Sequence, residues 1–204
     1  HSVCFTNFCI MLICEDYSRV DRGHYTKVRK TYRMIRKSFS DESFRITSWM
    51  RLGNWLLTKH NFMASFAMFF VKRIYRHEQH ITGIQFPFGM KIGGGLKFYH
   101  YSCVVSAMMV RIGRCCTIHQ GVTLGRVYAG SKAGVPTIGD NVVIFPGAKV
   151  IGNICVGDNA VIGANAVVVD DVPENCVVAG TPAKVVSEDS SKCFEGEWIK
   201  WFRF

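Results

Sequence analysis

Residues 137–168 read TIGDNVVIFPGAKVIGNICVGDNAVIGANAVV, and in them Ile138, Ile144, Val150, Val156, Ile162 and Val168 recur at strict six-residue spacing. Upstream, Ile112, Ile118 and Leu124 keep the same step. Four positions after these aliphatics stands a second set of modest residues: Cys116, Val122, Val142, Ala148, Ile154, Ala160, Ala166 and Val172. A period of six has a physical cause. In a β-helix of triangular cross-section the chain turns a corner after each short strand. One aliphatic per strand points to the axis, and a small residue fills the tight interior near the corner. Three hexads make one coil of about 18 residues, stacked on the next. Gly113, Gly125, Gly139, Gly157 and Gly163 each follow an aliphatic and are expected to ease the turn. A sandwich of ordinary strands would not hold one phase so long.

The interval from Leu124 to Ile138 is 14, where two hexads would take 12. The segment 126–136, rich in Gly and Ala, must leave the coil as a loop, and loops on rigid solenoids are where chemistry is commonly placed.

Before residue 80 the period is helical. Phe44, Ser48, Leu52, Trp55 and Leu56, then Phe62, Phe66, Phe69 and Phe70, fall at helix spacing. Ser40 or Asp41 can cap the first of these helices, and Asn54 and Asn61 offer breaks. The apolar run Phe62–Val71 is about half a membrane span and reads as a core helix, with a surface-lying amphipathic segment as the weaker alternative. The expected division is a helical region 1–80, a β-helix 81–186 and an aromatic tail 187–204. That tail should pack on a partner subunit, the helical region or a membrane.

The 204 residues carry a formal net charge of +10. Residues 1–80 hold 14 Lys/Arg against 6 Asp/Glu, so most of the excess lies in the helical region. A solvated helical face, an anionic substrate or peripheral contact with an anionic membrane would each accommodate it. No zinc-finger, RNA-binding or helix-turn-helix signature accompanies the charge, so nucleic acid is not expected. The nine cysteines are odd in number and form no CxxC pair, which points to a reduced, cytoplasmic chain; Cys103, Cys115 and Cys116 read as space-fillers in the coil. No secretory signal is recognisable.

Two histidines, His100 and His119, lie in the coil region 19 residues apart, close to one coil. Imidazole is the natural general base near neutral pH. His119 reads as structural or as part of an acceptor site.

The stretches KIGGGLKFYH (91–100), IHQGVTLG (118–125), GAKVIGN (147–153), IGANA (162–166) and AGTPAK (179–184) make residues 83–185 similar to serine acetyltransferases and the related polysaccharide O-acetyltransferases. The resemblance implies a mainly β fold, a left-handed parallel β-helix of hexapeptide repeats behind a helical N-terminal segment. It implies acetyl-CoA as donor with no metal, a homotrimer or a dimer of trimers, and His100 as catalytic base. It places Gln85 where the family has the Asp that pairs with this base. It puts Tyr99, His119, Gln120 and Val135 at the acceptor, and Gly147, Ala148, Ala164 and Lys184 along CoA. Lys184 is a candidate phosphate ligand or a solvated coil-end lysine.

The departures concern the acceptor. Gln85 and Tyr99 stand where the family has Asp, and Gly134-Val135-Pro136 stands for its Arg-His-Pro. Gln85 can orient an imidazole but cannot stabilise imidazolium by charge. A neutral hydroxyl, such as a saccharide's, is the expected acceptor, with L-serine as the alternative. Two remoter readings are a zinc hydrolyase on the same helix, which would need a third histidine such as His80, and a non-catalytic binding or scaffold protein.

Overall fold

The computed structural model describes residues 2–20, 27–191 and 193. Four helices come first: α1 (Ser2–Val20), α2 (Lys27–Ser40), α3 (Glu42–Leu57) and α4 (Phe62–Thr82). Asp41 caps α3, its carboxylate accepting from the Phe44 N–H at 2.9 Å, and Asn61 caps α4 through the Ala64 N–H at 2.8 Å. Gly83 ends α4 in the left-handed conformation, φ 68°. Asn54 does not break α3. It stays helical and its side chain accepts from the Gly89 N–H at 2.8 Å.

A left-handed parallel β-helix follows. Its first coil holds β1 (Ile84–Gln85), β2 (Lys91–Ile92) and β3 (Lys97–Tyr99), and its second β4 (Val104–Ser106), β5 (Arg111–Ile112) and β6 (Thr117–His119). The third holds β7 (Thr123–Gly125), β8 (Thr137–Ile138) and β9 (Val143–Ile144), and the fourth β10 (Lys149–Ile151), β11 (Cys155–Val156) and β12 (Val161–Ile162). Then come β13 (Val167–Val168), β14 (Val177–Gly180) and β15 (Ala183–Ser187). The first face of the prism stacks β1-β4-β7-β10-β13, the second β2-β5-β8-β11, and the third β3-β6-β9-β12-β14, with β15 antiparallel on β14.

The period-six aliphatics are the core: Ile112, Ile118, Leu124, Ile138, Ile144, Val150, Val156, Ile162 and Val168 are all buried, and so is the second set. Ile46 and Met50 of α3 and Tyr75 of α4 join the same core and close the prism's first end. Asp16 of α1 and Arg51 of α3 lock that end. The Arg51 guanidinium donates to Asp16 at 3.0 and 3.2 Å, to the Ile92 carbonyl at 2.6 Å and to the Gly93 carbonyl at 2.5 Å. Asp16 in turn accepts from the Gly95 and Leu96 N–H groups at 2.8 and 3.0 Å.

Four details differ from the sequence reading. First, β7 and β8 are consecutive strands, so the step from Leu124 to Ile138 replaces a single hexad and the loop between them carries eight extra residues, not two. Second, the glycines after the aliphatics do not make the turns. Gly113, Gly139 and Gly157 lack positive φ; a Cβ on any of them would run into backbone of the next coil. The turns belong to Cys115, Asn141, Asn159 and Asn175, all at φ 56–58°. The asparagines form a ladder, Asn141 donating to Asn159 at 3.2 Å and Asn159 to Asn175 at 3.0 Å. Third, Cys116 fills the core, but Cys103 is exposed at a corner. Fourth, the periodic phenylalanines of α4 face outward. The helix packs on α3 through Ala64, Met68 and Val71, leaving Phe62, Phe66, Phe69 and Phe70 exposed.

The aromatic tail lies outside the described residues from 194 onward, as do residues 21–26. Among the described residues no helix is long and apolar enough to cross a membrane.

Candidate functional site

The edge where the third face turns into the first gathers most of the candidate residues. On the third face, register pairing sets Tyr99 beside His119. The His119 ring stacks on Tyr99, centroids 5.3 Å apart, and on Phe145 of the next coil at 5.1 Å. His119 is 5% exposed. Burial, helped by the nearby His100 and Lys97, lowers its pKa to about 4, so at neutral pH it is an uncharged imidazole. Lys97 lies over the Tyr99 ring, Nζ 4.2 Å from the centroid.

His100 opens the corner itself. From Tyr99 to Val105 the chain takes six steps, whereas their register partners His119 and Thr123 are four apart. The first corner is thus two residues wider than the one stacked on it. His100 at φ 51° and Cys103 at φ 49° flank the bulge, and His100 is exposed with its ring edge-on to Tyr99, centroids 5.6 Å apart. A solvent-facing imidazole on a bulged corner is available to take a proton from a bound molecule. Gln85 is exposed on the first face, two residues past the same edge and in register with Val105. Among the described residues it makes no hydrogen bond to His100.

Above His100 the edge is built from Gln120, Pro146-Gly147 and Ala164-Asn165. Their backbones are tied coil to coil, the Gly147 N–H donating to the Gln120 carbonyl at 2.9 Å and the Asn165 N–H to the Pro146 carbonyl at 2.8 Å. Lys149 braces it, its ammonium donating to the Gly121 and Gly147 carbonyls at 2.6 and 2.8 Å. The Gln120 amide oxygen is buried without a protein partner among the described residues. Ala164 is exposed, and Gly147 stands at φ 75°, a left-handed backbone that favours glycine. Gly121, Gly147 and Ala164 thus form a track of small residues, one per coil, up the edge from His100.

Not every candidate belongs to this edge. Ala148 is fully buried and offers a ligand no side chain. Lys184 on β15 lies 4.0 Å from Asp170, which also faces Lys132 at 3.6 Å, so its ammonium has a carboxylate neighbour. Val135 sits in the extruded loop, on the edge between the first and second faces, and packs against the core. That loop closes on itself, Val127 and Gly134 exchanging N–H···O bonds at 3.0 and 2.9 Å. The loop therefore lies on a different edge from His100 of the same chain. His80 is exposed on the last turn of α4, and among the described residues no cluster of three or more His, Cys, Asp or Glu could hold a metal ion. Sequence reading missed Phe145 and Lys149, which carry the ladder and the brace. Their signal was the 26-residue register from His119 to Phe145, which only becomes visible once the eight-residue excess of the loop is known.

Comparison with known proteins converges on one group. Residues 136–170 match the bacterial transferase hexapeptide (six repeats) family model. A serine acetyltransferase of Helicobacter pylori is 42% identical over 121 residues, covering 59% of this chain and 71% of that enzyme. A serine acetyltransferase solved in complex with CoA superposes with a TM-score of 0.59 at 31% identity, covering 70% of this chain and 56% of that one, so the chain spans just over half of that relative's length. The Neisseria gonorrhoeae serine acetyltransferase solved in complex with serine superposes at 0.70 with 25% identity over 89% of this chain and 70% of that one.

Proposed function

Since the chain belongs to the serine acetyltransferase-like family of hexapeptide-repeat acyltransferases, we propose that it transfers an acetyl group from acetyl-CoA to an acceptor hydroxyl, with His100 as general base. The observation that carries this reading is His100 on its widened corner at the foot of a track of small residues. Acetyl-CoA lies along that track past Gly147 and exposed Ala164. Lys184 is close enough to the end of β14 to meet a CoA phosphate once it swings from Asp170.

The chemistry is direct transfer. His100 takes the hydroxyl proton as the oxygen attacks the thioester carbonyl, and the thiolate leaves with a proton returned by the imidazolium. Holding both substrates on one edge supplies the proximity. Gln85, across the edge, orients the imidazole when substrate is bound. The 126–136 loop leaves from a different edge, so it reaches a His100 only on a neighbouring copy. A homotrimer, in which each edge faces the next copy's loop, fits this placement.

L-serine is the acceptor that the relatives favour. Tyr99, His119 and Gln120 share the edge that carries His100 and would border its site. A saccharide hydroxyl is the second reading, favoured by Gln85, Tyr99 and Val135, which leave the acceptor side without the carboxylates and guanidinium expected to grip a zwitterion. Release of CoA thiol from acetyl-CoA, with L-serine and a panel of sugars and nucleotide sugars side by side, separates them. Turnover with L-serine supports the first reading, turnover with a sugar alone supports the second, and no turnover with any acceptor contradicts both.

A further inference from the structure

We propose that the exposed face of α4 docks on an anionic lipid bilayer surface. In an ordinary water-soluble helix the periodic apolar residues turn inward. In α4 they turn outward: Phe62, Met63, Phe66, Phe69 and Phe70 are each at least half exposed, whereas Ala64, Met68, Val71 and Tyr75 are buried. The rings of Phe66 and Phe69 both pack edge-on against Phe70, centroids 5.1 and 5.4 Å apart, so they form one contiguous patch. A patch of this kind on a soluble protein marks an interaction surface.

The same face changes character along the helix. Residues three and four apart share a face, so the row Phe62, Phe66, Phe69/Phe70 continues as Arg73, Arg76/His77 and His80, all exposed. Lys72 is exposed beside it. The one carboxylate of α4, Glu78, is on the buried side and bonded to Arg45 Nε at 2.7 Å. The outward face is therefore apolar for its first turns, about 12 Å of helix, and after them carries the arginines and histidines interspersed with exposed Ile74 and Ile81. A bilayer edge has the matching order, hydrocarbon first and anionic phosphate next, at a depth of about 5–10 Å. α2, which packs on the same α3, adds six Lys/Arg and no Asp/Glu over residues 27–40. A second copy of this chain is the poorer occupant, because pairing this face with itself would bring two sets of cations together and supply no anion to receive them.

The test is co-sedimentation of the chain with phosphatidylcholine vesicles, with and without phosphatidylglycerol, in the absence of acetyl-CoA, so that the result does not depend on the catalytic reading. Binding is expected only with phosphatidylglycerol and weakens as salt rises. Arg73→Gln and Arg76→Gln should each lower the partition roughly fivefold. Phe66→Ser with Phe69→Ser should lower it at least about tenfold; these side chains are exposed, so far-ultraviolet circular dichroism should match the parent. No binding to anionic vesicles, equal binding to neutral ones, or undiminished binding by the Phe variant would overturn the proposal. So would an α4-dependent self-association in place of vesicle binding.

Discussion

Replacing Arg51 by Met should destabilise the chain by about 3–5 kcal/mol, the usual cost of removing one partner from a buried ion pair. The structure says why. Arg51 and Asp16 are both nearly inaccessible, with side chains 3% and 1% exposed. Met keeps the stem and its packing but removes the guanidinium, leaving the Asp16 carboxylate with only the Gly95 and Leu96 N–H groups. The Ile92 and Gly93 carbonyls lose their donor in the same step. Because α1, α3 and the first coil meet at this one pair, the loss should appear as a lowered global midpoint. Urea unfolding followed by Trp49 and Trp55, both on α3, reads it. With a slope of about 2 kcal/mol per molar the midpoint should fall by roughly 1.5–2.5 M. Adding Asp16→Leu should restore part of this, since the uncompensated charge goes but four backbone groups stay unpaired. A shift below about 0.5 M for the single variant would refute the reasoning.

Other outcomes follow from the coil and the ladder. His119 has a folded pKa near 4, below its unfolded value of about 6.5. The unfolded chain therefore binds the extra proton first, and stability held above pH 6.5 is lost as pH falls toward 4, by as much as about 3 kcal/mol. His119→Phe should flatten that part of a stability-against-pH curve. Gly139→Ala should cost about 1–3 kcal/mol by overpacking, since its Cβ would press on the Asp158 N and the Gly157 carbonyl carbon at 2.9 and 3.0 Å; thermal unfolding measures it. Asn159→Ala should cost about 2 kcal/mol, from two ladder bonds and a left-handed backbone. Asn159→Gly should recover the backbone share.

The coil was legible because one residue in six must face the axis, and that demand leaves a period in the chain. The site was legible only in part. The position of the loop could be read, since a broken phase marked it, and a resemblance singled out His100. The Asp16–Arg51 lock could not, because its partners are 35 residues apart on two helices and no periodicity links them. The asparagine ladder did leave a trace, Gly-Asp-Asn at 139–141 and again at 157–159, but the turn was credited to the glycine. The corner demands a residue that tolerates positive φ and bonds its copy in the next coil, which asparagine does. In α4 the periodicity was read correctly and its direction was not. A helical stripe says which residues share a face and nothing about whether that face meets α3 or solvent.

The central claim is that His100 is the base of an acetyl transfer. It is tested most directly by comparing the parent and His100→Ala for acetyl-CoA-dependent turnover, with CoA affinity measured by calorimetry on both. The account predicts that kcat falls about 10²–10⁴-fold while CoA affinity stays unchanged. Turnover retained within about threefold, with CoA bound as before, would contradict it.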